Sequence, residues 1–103
     1  MFVARWQVDA RFGQKQTVID MLRRWEREIG PKVGMDTMDS KILTGSIGAR
    51  EATVEVNHTV ESLAQLERFF EAIGGNEAHK QFGKDLEPYV VSGSSVWNIY
   101  RVV

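Results

Sequence analysis

The sequence contains no cysteine, which excludes disulfides, thiol nucleophiles and thiolate metal ligands. An excess of one charge is also lacking: 13 basic and 14 acidic side chains leave a formal net charge of −1. This balance argues against nucleic-acid binding through a basic face. No apolar run approaches the roughly 20 residues of a membrane span, and polar residues interrupt the N-terminus, unlike in a signal peptide. We therefore predict a cytoplasmic protein with no nucleic-acid or membrane partner.

Histidine is scarce as well, because His58 and His79 are the only two in the chain. No carboxylate pair stands near either one at the spacing of metal ligands, so we predict no metal site. The glycine-containing segment GSIGARE lacks the lysine and the following helix of a phosphate-binding loop.

Segments with the period of a β-strand occur in three parts of the chain. In residues 2–11 one face is apolar throughout, and it is formed by Phe2, Ala4, Trp6, Val8 and Ala10. Residues 40–47 and 52–58 flank a turn at residues 48–51, which predicts a β-hairpin. The last predicted strand, residues 95–103, is apolar on both faces.

Between these strands the apolar period lengthens to that of a helix. Residues 14–29 predict the first helix, which Gly30 and Pro31 end. We predict Thr59 as the cap of a second helix. Its buried stripe consists of Leu63, Leu66, Phe70 and Ile73, with Phe69 at the edge. A short third helix is predicted from the spacing of Ala78, Phe82 and Leu86.

The order of elements is therefore β-α-β-β-α-(α)-β in one domain, residues 1–103. Two amphipathic helices on one face of a four-stranded antiparallel sheet form the ferredoxin-like α+β fold. RNA-binding members of this fold need stacking aromatic residues on the third strand, and here that strand is ATVEVNH. We therefore exclude RNA binding.

The whole layout resembles the dimeric α+β barrel superfamily. The resemblance lies in RWQVDARFGQKQTVIDMLRRWE, the hairpin, the helix SLAQLERFFEAI and above all the short helix in NEAHKQFGKDLEPYV. Its relatives include NIPSNAP-like proteins, antibiotic-biosynthesis-type monooxygenases, stress-responsive barrel proteins and the ligand-sensing domains of Lrp-type regulators. The resemblance implies a homodimer with two sheets face to face, and a pocket between sheet and helices in each subunit.

The last strand supports a dimer independently, since a strand that is apolar on both faces expects cover on both. We predict Trp97 and Ile99 as contacts with the partner subunit. Arg5 and Glu55 are predicted in the same interface, where Glu55 tolerates burial if it forms a hydrogen-bonded ion pair with Arg5 or Arg101.

Heme-degrading monooxygenases of this superfamily use an asparagine on the first strand, a tryptophan on the second main helix and a histidine on the short helix. The resemblance places His79 at the histidine, Phe69 at the tryptophan and Trp6 at the asparagine, so one position of the three agrees. It implies a catalytic His79 and heme as a cofactor. Without that resemblance, His79 is a surface residue on a short helix and no cofactor is predicted.

The aromatic and polar residues on the predicted sheet and helices favour a binding protein. We predict a cleft for a small apolar or aromatic molecule, lined by Trp6, His58, Phe69, Phe82 and Tyr100. Two alternatives stay open: a cofactor-independent monooxygenase or heme-degrading enzyme that uses His79, and a ligand-sensing module similar to the Lrp-type domain.

Overall fold

A computed structural model describes the whole chain, residues 1–103. Four strands form one antiparallel sheet in the order β2-β3-β1-β4. In chain order the elements are β1 (Phe2–Asp9), α1 (Lys15–Glu28), β2 (Asp39–Thr44), β3 (Thr53–Val60), α2 (Leu63–Gly74), α3 (Glu77–Leu86) and β4 (Val96–Arg101). The predicted ferredoxin-like α+β fold is confirmed, including the short helix before the last strand. None of the helices is long and apolar enough to cross a bilayer.

The core lies on one face of the sheet because the two central strands alternate in phase. Ala4 and Val8 of β1 and Val54, Val56 and Val60 of β3 are all buried. Their helical partners form the other half of a single cluster, which includes Val18, Leu22, Leu66, Phe69, Phe82 and Leu86. The intervening residues of β3 are only half-buried, as expected for the face without helices.

The start of α2 differs from the prediction. Thr59 is the penultimate residue of β3, and Ser62 is the cap, whose side-chain oxygen accepts a hydrogen bond from the Gln65 backbone N–H at 3.1 Å. The strand continues past Thr59 because Thr59 pairs with Val3 and Val60 is buried. The later start leaves Leu63 exposed.

The two phenylalanines of α2 exchange the roles that were predicted for them. Phe69 is 2% exposed and belongs to the core, whereas Phe70 is 38% exposed. Leu66, Phe69 and Ile73 also follow helical spacing, and this stripe faces the sheet and the cavity. The sequence alone does not choose between the two neighbouring stripes.

Strand β4 presents its side chains in the opposite way to that predicted. Trp97 is opposite Trp6, and Ile99 is opposite the buried Ala4, so both lie on the helix side of the sheet. Tyr100 is opposite Val3 on the helix-free face. The predicted position of Tyr100 beside the cavity is therefore wrong, and Trp97 and Ile99 do not lie on the face expected to meet a partner. The period of two correctly separates the residues on the two faces of this strand, but it does not show which face lies on the side of the helices.

A polar cluster occupies the helix-free face. The Gln7 amide donates a hydrogen bond to Glu55 Oε2 at 2.6 Å, and Arg5 Nε lies 3.8 Å from Glu55 Oε1. The Arg5 guanidinium also lies over the Tyr100 ring, 5.2 Å from its centroid. Arg5 and Glu55 thus lie together, as predicted, on a face that carries compensated charges.

Candidate functional site

A cavity of about 450 Å³ lies between the sheet and the three helices. Twelve of its 18 lining residues are hydrophobic. Four predicted cleft residues line it, namely Trp6, His58, Phe69 and Phe82, and His79 also does. A mostly apolar cavity of this size with a few polar groups is typical of small-molecule sites.

Tryptophan dominates the cavity wall. All three tryptophans of the chain line it: Trp6 from β1, Trp25 from α1 and Trp97 from β4. The Trp6 indole N–H donates to Ser95 Oγ at 2.8 Å, just before β4 begins. This bond satisfies the only polar atom of the Trp6 side chain and leaves its ring as apolar surface.

His58 extends from β3 into the buried layer and is 3% exposed. Its Nδ1 shares a hydrogen bond of 2.7 Å with Ser40 Oγ on β2. Its ring packs against Phe69, with centroids 5.1 Å apart, and stacks on Trp97 at 6.0 Å. Burial lowers the pKa of His58 to about 4, because the charged imidazolium loses its hydration. His58 is therefore neutral at pH 7.

His79 is positioned at the start of α3. The Asn76 side chain caps this helix by accepting a hydrogen bond from the His79 backbone N–H at 2.9 Å. The Trp25 indole N–H donates to His79 Nδ1 at 3.1 Å, and the two rings meet edge to face. Burial lowers the pKa of His79 as well, so the neutral form is favoured.

The bond from Trp25 also determines the tautomer of His79. An indole N–H can only donate, so Nδ1 must present its lone pair, and a neutral ring then carries its proton on Nε2. His79 Nε2–H has no hydrogen-bond partner within the chain. His79 is thus a hydrogen-bond donor held in a fixed form.

The charged residues that line the cavity are both acidic. Glu26 of α1 and Glu87, which follows α3, contribute to the wall, and no lysine or arginine does. Burial raises the pKa of Glu26, and the nearby Arg23 opposes this shift. Glu87 is exposed.

Sequence reasoning missed Trp25, Trp97, Glu26 and Ser95 as lining residues. Trp25 follows Val18 and Leu22 at helical spacing, which predicts a place on the inner face of the first helix but does not reveal the open volume beside it. The available signal was the presence of three tryptophans in a chain of 103 residues, because a small core seldom encloses three such large rings completely.

A heme ligated through His79 does not fit this arrangement. Ligation through Nε2 would move the ring proton to Nδ1, where it would face the Trp25 N–H across 3.1 Å. Ligation through Nδ1 would displace the Trp25 hydrogen bond. For a metal held by side chains alone, no three His, Asp or Glu residues come together at ligand spacing.

Solved structures with similar folds are numerous, although their sequences have diverged. An uncharacterised NIPSNAP domain protein from Burkholderia xenovorans has a TM-score of 0.73 at 12% identity, covering 100% of this chain and 95% of that one. A NIPSNAP family protein from Agrobacterium tumefaciens has a TM-score of 0.78 at 17% identity, covering 99% and 92%. An antibiotic biosynthesis monooxygenase has a TM-score of 0.69 at 8% identity, covering 100% and 99%.

The chain shares its fold with these three structures. The predicted resemblance to NIPSNAP-like and monooxygenase-like proteins is confirmed at the level of structure. No family model matches the sequence, and no curated protein does so either. Structural similarity at sequence identities below 20% shows a shared fold and not a shared chemistry, so any function must be argued from the cavity itself.

Proposed function

We propose that this protein binds a small, largely apolar or aromatic molecule in the cavity between sheet and helices. The observation that carries the proposal is the wall itself, about 450 Å³ in volume and lined by three tryptophans and two phenylalanines. Removing the apolar surface of a ligand from water contributes about 25 cal/mol per Å². The neutral imidazoles of His58 and His79 add polar contacts without requiring a charged ligand.

Binding can be tested with N-phenyl-1-naphthylamine, an uncharged dye whose fluorescence rises in apolar surroundings. The wild-type protein is expected to bind it with a saturable signal. Ile73→Trp should abolish saturable binding, because Ile73 lines the cavity and a larger ring would fill it. Leu63→Trp is the matched control, since Leu63 is on the same helix and 54% exposed. Equal binding by a folded Ile73→Trp variant would refute the proposal.

We also propose that two copies associate through their helix-free sheet faces. The edge strands of this face carry Leu43, Val96 and Tyr100, which are 41%, 43% and 51% exposed. Between them, Arg5 and Glu55 compensate each other's charge, which lowers the cost of burying them. Light scattering should give twice the chain mass, and Tyr100→Glu should reduce it to a single chain. A wild-type monomer at high concentration would refute the dimer.

Oxygenase chemistry is the second candidate, and the unpartnered Nε2 of His58 beside the cavity favours it. If Nδ1–H donates to Ser40, then Nε2 offers a lone pair to a phenol proton. Oxidation of 1-naphthol by O₂ to a naphthoquinone places one oxygen atom on the ring and reduces the other to water, with both hydrogens of that water supplied by the substrate. Oxygen uptake with 1-naphthol, abolished in His58→Phe, would support this activity; no uptake would exclude it for this substrate class.

A further inference from the structure

The polar groups of the cavity wall are unequal in what they offer a ligand. Trp6 donates to Ser95, and Trp25 donates to His79. His58 pairs with Ser40 through Nδ1 and keeps an unpartnered Nε2, whose role as donor or acceptor depends on its tautomer. His79 Nε2–H, whose position follows from the bond that Trp25 makes to Nδ1, has no partner. A donor left without an acceptor in a partly buried wall is unfavourable when a ligand displaces its water.

The charges around the wall exclude one class of ligand. No lysine or arginine lines the cavity, and its two charged residues are Glu26 and Glu87. A carboxylate or phosphate would enter an apolar space with no cation to pair with and two acidic groups nearby, which is unfavourable. A cationic ligand gains little from these two acids, because Arg23 lies close to Glu26 and Glu87 is exposed to solvent.

We propose that the cavity selects an uncharged aromatic molecule bearing a hydrogen-bond acceptor, such as an aryl ketone, whose oxygen accepts from His79 Nε2–H. The inference rests on the proposed binding function and adds the polarity of the ligand. His79 is then a specificity-determining residue, and Trp25 is the positioning residue that holds its donor in place.

Matched probes isolate the hydrogen bond. 2-Acetylnaphthalene and 2-isopropenylnaphthalene have nearly the same shape, but only the first carries a carbonyl oxygen. 2-Naphthoate and protonated 1-(2-naphthyl)ethylamine add a negative and a positive charge. Because all three tryptophans line the cavity, quenching of intrinsic fluorescence reports binding of each probe. The measured quantity is the ratio of ketone affinity to alkene affinity. The two probes differ in hydration, but this difference is the same for every variant and therefore cancels when the ratios of two variants are compared.

The wild type is expected to bind the ketone. The naphthoate and the amine should both bind more weakly than the alkene. In His79→Leu the ratio of ketone to alkene affinity should fall about fivefold to tenfold, as one net hydrogen bond implies. Trp25→Phe should lower the ratio by a smaller factor, because the tautomer of His79 is then free to change. Lys84→Ala is the control, since Lys84 is exposed on the same helix as His79 and does not line the cavity.

Each other outcome overturns the inference in an identifiable way. If ketone and alkene both bind and their affinity ratio is the same in wild type and His79→Leu, the selectivity is refuted while the binding function stands. Tighter binding of the naphthoate or the amine than of the ketone would refute the assignment of an uncharged ligand. If none of the four probes binds, both the inference and the proposed function fail.

Discussion

Acidification should destabilise this protein through one buried histidine. His58 titrates near 6.5 when unfolded, and burial lowers its pKa to about 4 in the folded chain. Between these two values the unfolded state binds the proton and the folded state does not, so stability falls as the pH falls from about 6.5 to about 4. At about 1.4 kcal/mol for each unit of pKa difference, the loss is about 2 kcal/mol at pH 5 and roughly 3 kcal/mol below pH 4.

Urea unfolding followed by tryptophan fluorescence, repeated between pH 7 and pH 4.5, measures this loss. Carboxylates contribute to the same profile, so the informative quantity is the difference between wild type and His58→Gln. The glutamine amide does not titrate and can still reach Ser40. The wild-type advantage over His58→Gln should shrink by about 2 kcal/mol from pH 7 to pH 5. Parallel profiles, or an NMR titration in which the His58 ring protonates near pH 6.5, would refute the reasoning.

Three further substitutions probe the cavity and the hairpin. Trp25→Phe removes the donor to His79 Nδ1, so the pKa of His79 should rise and stability should fall by about 1 kcal/mol, as measured by NMR titration and urea unfolding. Phe69→Ala should cost about 3–5 kcal/mol in urea unfolding, because the ring is almost completely buried. Gly45→Ala should lower the thermal midpoint by several degrees, since its new Cβ would overlap the Arg50 carbonyl; an unchanged midpoint would contradict the close approach of the two backbone segments at that turn.

The fold was predictable because its signals are local. The alternation in β1 and β3 and the helical period in α1 specify which residues are buried without any long-range information. The start of α2 was not predictable in the same way. Thr59 and Ser62 are both good caps, and the choice depends on the pairing of β3 with β1, which extends the strand to Val60.

The cavity was only partly predictable, for a different physical reason. Residue type and face sufficed to select Trp6, His58 and Phe69, but an open volume arises where side chains from distant parts of the chain fail to meet. The contact of Trp6 with Ser95 and that of Trp25 with His79 each join residues far apart in sequence. The tautomer of His79, on which the ligand preference depends, follows from a single such contact and leaves no trace in local periodicity.

The two proposed interactions use opposite faces of the same sheet, and β4 is the element that serves both. Trp97 stacks on His58 at the cavity, whereas Tyr100, on the other face, lies beneath the Arg5 guanidinium. This strand pairs only with β1, and all six of its residues are exposed, so fewer contacts hold it in place than hold the central strands. A second subunit that packs on the helix-free face would hold β4 in place and so position Trp97 in the cavity wall. Ligand affinity should therefore increase with the fraction of dimer. Equal affinity in wild type and in monomeric Tyr100→Glu would show that the two faces act independently.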